Sequence, residues 1–206
     1  MHILYSNFMR HDKYKTDIFA RRAKKEGYPA RSIYKLQEID RKYKIFRKGD
    51  RVLDLGCAPG SWLLYVSDRV GVNGKVVGVD AKDIKIRLKS NIVFIKRDVF
   101  GLLESGLGEL KEKYQVVISD LAPSTSGIKA VDSEKSFELC QEALKIAQKV
   151  LLANGNFVCK IFEGKSTKVF IEELEKKLYF VKRFKPKAVS KKSKEFYIIG
   201  KNLRVT

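Results

Sequence analysis

The sequence predicts an α/β fold of Rossmann-like type: a seven-stranded, mostly parallel sheet whose last strand runs antiparallel, with helices on both faces. Three observations carry that prediction. Short apolar runs alternate with longer helical patterns along the 206 residues, as in parallel strands joined by crossover helices. Four of those runs close on or near an aspartate, at Asp54, Asp80, Asp98 and Asp120. The last two runs are joined by a basic loop with no helical pattern, so they pair antiparallel.

The elements follow in order. Residues 1–15 read as polar and irregular, and a basic stretch over 17–25 is broken by Gly27-Tyr28-Pro29. Ser32 is placed to cap a helix over 33–43, with Ile33, Leu36, Ile39 and Tyr43 on one face. Gly49-Asp50 turns the chain into strand one, 51–53. That strand opens into Asp54-Leu55-Gly56-Cys57-Ala58-Pro59-Gly60-Ser61-Trp62, followed by a helix that ends near Val70, at Gly71. Strand two is 75–80 and strand three 92–96. A helix is expected over 101–113, strand four over 115–119 and a long helix over 132–152, then an Asn154-Gly155 turn and strand five, 156–162. A helix over 167–178, strand six over 179–184, the basic loop 185–194 and strand seven, 195–200, complete the pattern. No repeat or long linker divides the chain. One domain over 1–206 is expected, with a basic N-terminal extension and first helix (1–50) and a ligand-binding catalytic core (51–206).

A ligand is expected at the turn between Asp54 and Trp62. Gly56 and Gly60 let backbone N–H groups approach it with no Cβ in the way, and the helix behind them adds a favourable positive field. A dinucleotide wants G-x-G-x-x-G and an acid about 20 residues on for the ribose. Asp80 fits that distance, but the middle glycine is missing, since Gly56 is followed by Cys57-Ala58-Pro59. S-adenosylmethionine has no phosphate and carries a sulfonium and an ammonium, so a carboxylate at the strand end suits it better. Asp54 with Gly56 and Gly60, then Asp80, then Asp98, is the acidic ladder of a class I S-adenosylmethionine-dependent methyltransferase, whose Rossmann-like sheet has the reversed last strand predicted here. In an unrelated α/β protein the same residues would make only a tight turn.

Composition narrows the partners. The net charge is +19, and residues 1–50 hold 14 Lys/Arg against 6 Asp/Glu, while 181–206 hold 9 against 1. Two basic ends on a near-neutral middle point to a polyanion, and to nucleic acid before a membrane surface, because no basic helix carries a wide apolar face. No apolar run approaches the ~20 residues of a membrane span, and no apolar signal segment opens the chain. Cys57, Cys140 and Cys159 are odd in number and far apart, which fits a reducing cytoplasm better than a disulfide framework. The only histidines are His2 and His11, so no zinc-ligand spacing exists and no metal is expected. Lys160 interrupts the apolar Phe157-Val158-Cys159-Lys160-Ile161-Phe162, where it is either snorkelling at a strand end or held for chemistry. Taken singly, Lys35 reads as a solvated helix lysine and Glu195 as a charge opening an edge strand.

Five stretches share one resemblance. They are Arg31-Ser32-Ile33-Tyr34-Lys35-Leu36, the turn from Asp54 to Trp62, Ser119-Asp120-Leu121-Ala122-Pro123, Val158-Cys159-Lys160-Ile161-Phe162 and Ser193-Lys194-Glu195-Phe196-Tyr197-Ile198. Over nearly the whole chain they resemble the FtsJ (RrmJ) family of ribose 2′-O-methyltransferases. The resemblance implies a catalytic Lys-Asp-Lys-Glu tetrad at Lys35, Asp120, Lys160 and Glu195. It implies cofactor contacts at Gly60, Trp62, Asp80, Asp98 and Asp120, alongside Asp54 and Gly56 of the turn. Cys57, Ser61 and Leu121 stand where relatives often have Ala, Gly and Met, and none of them touches the tetrad.

The implied activity is methyl transfer from S-adenosyl-L-methionine to a ribose 2′-hydroxyl, of a uridine in large-subunit ribosomal RNA. The implied partner is that RNA or the large ribosomal subunit, met in the cytoplasm by a monomer. A basic run over 21–28 also resembles relatives that modify tRNA, so tRNA stays as an alternative substrate. Two further classes remain open: a catalytically silent RNA-binding factor for ribosome assembly on the same fold, and a nucleotide-dependent oxidoreductase. The chemistry agrees with the methyltransferase reading. A 2′-hydroxyl must lose its proton as it attacks, whereas the sulfonium is already an excellent leaving group, so the protein mainly supplies position and a base. Lys160 is the candidate base.

Overall fold

Runs rich in valine and isoleucine form the strands, because β-branched side chains pack well on a pleated surface buried on both faces. The computed structural model describes residues 18–104, 106–108, 110 and 112–204. Its strands are β1 (Arg51–Leu55), β2 (Lys75–Asp80), β3 (Ile92–Lys96), β4 (Tyr114–Ser119), β5 (Leu151–Phe162), β6 (Leu178–Phe184) and β7 (Glu195–Leu203). Its helices are α1 (residues 18–25), α2 (Ile33–Tyr43), α3 (Ser61–Val70), α4 (Phe100–Glu104), α5 (Lys129–Val150) and α6 (Thr167–Lys177). The reading of residues 1–15 as irregular, and both histidines, lie outside the described residues.

The strands form one seven-stranded sheet in the order β3-β2-β1-β4-β5-β7-β6. The first five are mutually parallel, and β7 lies antiparallel between β5 and β6. The strand order reverses at β1, which has β2 on one side and β4 on the other, and ligands of such sheets sit at the carboxyl ends of the strands beside that point.

Alternate residues of each strand feed two apolar layers. Leu53, Leu55, Phe157, Cys159 and Ile161 pack against Leu144 and Ala147 of α5 and Phe170 and Leu174 of α6. Val52, Val76, Val116, Val158 and Tyr197 pack against Leu36 and Ile39 of α2 and Leu63 and Val66 of α3. Asp40 fastens α2 in place: its buried carboxylate accepts bonds from Ile45 N, Phe46 N, Tyr65 Oη and Arg69 Nε. A buried carboxylate with four donors is well compensated for lost water. No helix among the described residues is long and apolar enough to cross a membrane.

Several boundaries differ from the sequence expectation, each for a local reason. The helix expected over 101–113 stops at Glu104. Gly106 at φ +71° and Leu107 at φ +59° are left-handed, and Gly106 N donates to Leu103 O while Leu107 N donates to Leu102 O, the paired bonds of a glycine-terminated helix end. Helix α5 starts at Lys129, three residues before Asp132, because the Asp132 carboxylate accepts from Ser126 N (2.7 Å) and Ser126 Oγ (2.8 Å) and holds the preceding loop across the first turn. Strand β5 begins at Leu151, directly after α5, and the expected Asn154-Gly155 turn is a bulge within it, where the register against β4 shifts between Tyr114 and Val116. Ser32 makes no side-chain cap on α2. Its own backbone is helical, and the first amides of the helix reach Ala30 O and Arg31 O instead.

Candidate active site

Lys160 lies on β5 opposite Tyr197 of β7, and Glu195 opens β7 opposite Phe162. Asp120 follows the last residue of β4, whose Ser119 pairs with Cys159. These three side chains therefore meet at the carboxyl end of the sheet, one strand spacing apart. The fourth, Lys35, comes from the first turn of α2. Its place is fixed by contacts between the segment before α2 and the start of α3: Ala30 N donates to Ser61 Oγ (2.8 Å), and Trp62 Nε1 donates to Ser32 O (3.1 Å). The helix that carries the glycine turn thus also positions Lys35.

The four side chains pair two by two. Lys35 Nζ lies 2.6 Å from Glu195 Oε1, and Lys160 Nζ lies 3.0 Å from Asp120 Oδ1. Lys160 Nζ also donates to the backbone carbonyl of Asp120 at 2.6 Å. The Lys160 side chain is 6% exposed, so the strand lysine is held in the site and does not snorkel into water. Tyr197 joins the pairs, its one hydroxyl proton directed to Asp120 Oδ1 at 2.6 Å and shared more weakly with Glu195 Oε1 at 3.2 Å. Sequence reasoning named Tyr197 only within the stretch 193–198 and gave it no role. The signal was available, since a residue two positions from Glu195 on a strand faces the same way.

Burial pushes the Asp120 carboxyl up, but the charges of Lys160 and Lys35 and the bonds from Tyr197 and Lys160 outweigh it, leaving it below its ordinary range. Burial, followed by the charges of Asp120 and Glu195, drives the Tyr197 hydroxyl well above its ordinary value, so it stays a donor. The result is a small, preorganised cluster that holds an ammonium group beside an ionised carboxylate, with little water to compete.

The glycine turn lies across β1 and β2. Gly56 has φ +80°, and a Cβ there would come within 2.8 Å of Leu121 Cδ2; Gly60 has φ +110°. Asp80 accepts Ala58 N (2.9 Å) on one oxygen and Lys82 N (2.8 Å) on the other. It thereby shapes the turn and still keeps acceptor capacity for ligand hydroxyls. Asp98 is exposed beyond β3 and accepts Phe100 N (2.9 Å). Trp62 is buried with its N–H committed, 6.0 Å from the Tyr197 ring, and so forms a wall between the turn and the tetrad.

Asp54 departs most from expectation. It is the penultimate residue of β1, fully buried, and neither carboxylate oxygen has a hydrogen-bond partner. Burial first, then the charges of Asp120 and Asp80, push it well above the ordinary carboxylate range. It lies beneath the turn, sealed from direct contact with a ligand above. A cradle that a Cβ would crowd, with the Asp80 carboxylate at the adjoining strand end, fits a cationic, phosphate-free ligand bearing ribose hydroxyls, as S-adenosylmethionine is.

Among the described residues, α2 and the basic loop between β6 and β7 meet beside the site. Glu38 of α2 accepts Lys187 N (2.8 Å) and Ala188 N (3.1 Å), fastening the loop between β6 and β7 against α2. Comparison with known proteins shows the family. Residues 28–203 match the family described as FtsJ-like methyltransferase. Ribosomal RNA large subunit methyltransferase E of Desulfatibacillum aliphaticivorans is 47% identical over 186 residues, covering 89% of each chain. A structure assigned as a ribosomal RNA methyltransferase from Plasmodium falciparum superposes with a TM-score of 0.74 at 27% identity, over 85% of this chain and 98% of that one. Aeropyrum pernix fibrillarin, solved with natively bound S-adenosyl-L-methionine, shares the fold at a TM-score of 0.52 and 18% identity, over 75% of this chain and 67% of its own. The family match spans the glycine turn and all four tetrad positions, and the chain belongs to the FtsJ-like methyltransferase family.

Proposed function

We propose that the chain methylates a ribose 2′-hydroxyl, that of a uridine in large-subunit ribosomal RNA, using S-adenosyl-L-methionine. The observation that carries the reading is the paired tetrad: a buried lysine, Lys160, 3.0 Å from an ionised aspartate beside the glycine turn, with a second lysine–carboxylate pair next to it. When bound, the cofactor supplies an electrophilic methyl group. Gly56, Gly60, Trp62, Asp80, Asp98 and Asp120 would hold it, and Asp54 would act on it only through the turn. Asp120 orients Lys160 Nζ, which first gives up a proton to solvent and then, as the neutral amine, takes the proton of the attacking hydroxyl. Glu195 orients Lys35, whose charge favours the hydroxyl oxygen as it becomes anionic. Tyr197 keeps the two carboxylates in register, and geometry of this kind is where most of the rate gain of a displacement arises.

The basic surfaces of α1, α2 and the loop before β7 flank the tetrad and suit a phosphate backbone. Large-subunit RNA is favoured over tRNA by the relative named above, which matches along nearly its whole length. The three described cysteines are free and buried, which fits a cytoplasmic enzyme. Labelled S-adenosylmethionine should be incubated with isolated large subunits, small subunits and total tRNA, and the labelled nucleotide then mapped. One uridine labelled on its 2′-oxygen in the large subunit is expected. Label confined to tRNA would move the substrate, and no label in any RNA would leave an RNA-binding factor.

A further inference from the structure

A second cleft opens beside Glu195, on the side away from the glycine turn. It has a volume of about 490 Å³ and is lined by Glu163, Arg183, Phe184, Lys185, Lys194 and Phe196, among others. It sits over the ends of β5, β6 and β7, at the edge of the sheet. Its floor has a definite construction. The Arg183 guanidinium lies 4.3 Å from the centre of the Phe196 ring and forms an ion pair with Glu163. Phe196 is itself buried and packed in the main apolar layer. An arginine fixed below by an aromatic face and at its side by a carboxylate has lost most of its rotamer freedom, yet the Arg183 side chain remains half exposed. The guanidinium is a flat cationic group of the kind on which nucleobases stack, and it lines the cleft. Lys185 and Lys194 stand around it as phosphate partners, with the Lys185 ammonium braced by Ser193 O at 2.5 Å and Lys191 O at 3.2 Å.

We propose that this cleft is a subsite for the RNA nucleotide adjoining the methylated one, whose base stacks on the Arg183 guanidinium. The inference rests on the RNA 2′-O-methyltransferase reading and deepens it. Glu195 lines the cleft and also belongs to the tetrad, so a strand whose target ribose meets Lys160 reaches the cleft by passing round the strand end at Glu195. Stacking is indifferent to base identity, so the subsite supplies grip and direction and does not read sequence. It also unstacks the target from its neighbour, which exposes the 2′-hydroxyl.

The test uses the full chain, a single-stranded RNA hexanucleotide and hypomethylated large subunits. On adding the hexanucleotide, the Arg183 Nε–H resonance, assigned by its loss in Arg183→Lys, should move upfield from the ring current of the stacked base. In single-turnover assays on large subunits, Arg183→Ala should raise the half-saturating subunit concentration by roughly 5- to 100-fold, with the saturated rate and S-adenosylmethionine affinity near wild type. Arg183→Lys should recover little of that loss, because it restores charge without a flat face. An unmoved Arg183 resonance, unchanged half-saturation in Arg183→Ala, or full rescue by lysine would each overturn the stacking subsite. A shifted resonance in a protein that methylates no subunit would leave the subsite standing and remove the activity reading.

Discussion

Replacing Tyr197 by phenylalanine tests whether the tetrad is a joined unit or two separate ion pairs. The ring is fully buried against Trp62 and keeps its packing, so the substitution removes one oxygen and two bonds, at 2.6 Å to Asp120 and 3.2 Å to Glu195. Each carboxylate retains its lysine, at 3.0 Å and 2.6 Å respectively, so neither is left as a bare buried charge. A hydrogen bond to a charged group is worth about 1.5–3 kcal/mol, and the longer of the two contributes least. The variant should therefore lose about 1.5–3 kcal/mol. At about 2–4 °C per kcal/mol for a chain of this size, the expected fall in Tm is about 3–12 °C.

The pH dependence carries a second signature. The Asp120 carboxyl is held below its ordinary range, so its stabilising contribution is present above the unfolded-state pKa and is lost as pH falls through the folded one. Tyr197 is one cause of that depression, so in Tyr197→Phe the acid loss of stability should be smaller and should be complete at a higher pH. Thermal melts from pH 3 to 8 would show both effects. A cycle with Asp120→Asn should give a coupling of about 0.5–3 kcal/mol. An unchanged Tm with zero coupling would refute the joined cluster.

Three further outcomes are expected. Asp80→Ala removes the acceptor at the end of β2 and loosens the turn held through Ala58 N, so calorimetry should find S-adenosylmethionine binding weaker by about 1–3 kcal/mol; unchanged affinity would take Asp80 out of the site. Exchanging Lys191, Lys192 and Lys194 for serine should flatten the slope of log K against log salt for RNA binding while sparing cofactor affinity; an unmoved slope would make that loop a solubilising surface only. Asp54 has a raised folded-state pKa, so its stabilising contribution is complete below the unfolded pKa and is lost as pH rises through the folded value. The Tm of Asp54→Asn should therefore gain on wild type between pH 5 and 8, and a difference that stays flat with pH would contradict the sealed, unpartnered carboxyl.

Strand positions were legible because valine and isoleucine runs declare themselves locally. Four strands begin and end within one residue of expectation: 75–80, 92–96, 115–119 and 179–184 became Lys75–Asp80, Ile92–Lys96, Tyr114–Ser119 and Leu178–Phe184. The reversed last strand followed from a loop too poor in helical pattern to carry a crossover. Helix ends were harder. Gly106 lies inside the span 101–113 expected to be helical, whereas its left-handed backbone ends the helix, and Asp132 looked like a helix start when its carboxylate serves the preceding loop. In the site, Lys160 stood out because a lysine inside an apolar strand is anomalous on its own. Lys35 and Glu195, 160 residues apart in sequence, have no local signature, and only resemblance joined them before the fold did. Asp54 illustrates the converse. Its place at the strand end was legible, but whether the carboxylate faces a ligand or is sealed beneath the turn depends on packing by the helix that follows.

The role of Lys160 decides between general-base catalysis and simple charge placement. Single-turnover methyl transfer to hypomethylated large subunits should be compared in wild type and Lys160→Arg at saturating S-adenosylmethionine, with cofactor affinity measured alongside. Arginine keeps the positive charge next to Asp120 but does not give up its proton in a protein. The expected result is a rate lower by at least about 100-fold with cofactor affinity near wild type. Near-normal turnover in Lys160→Arg would contradict proton acceptance by Lys160 and show that a fixed charge is what the position supplies.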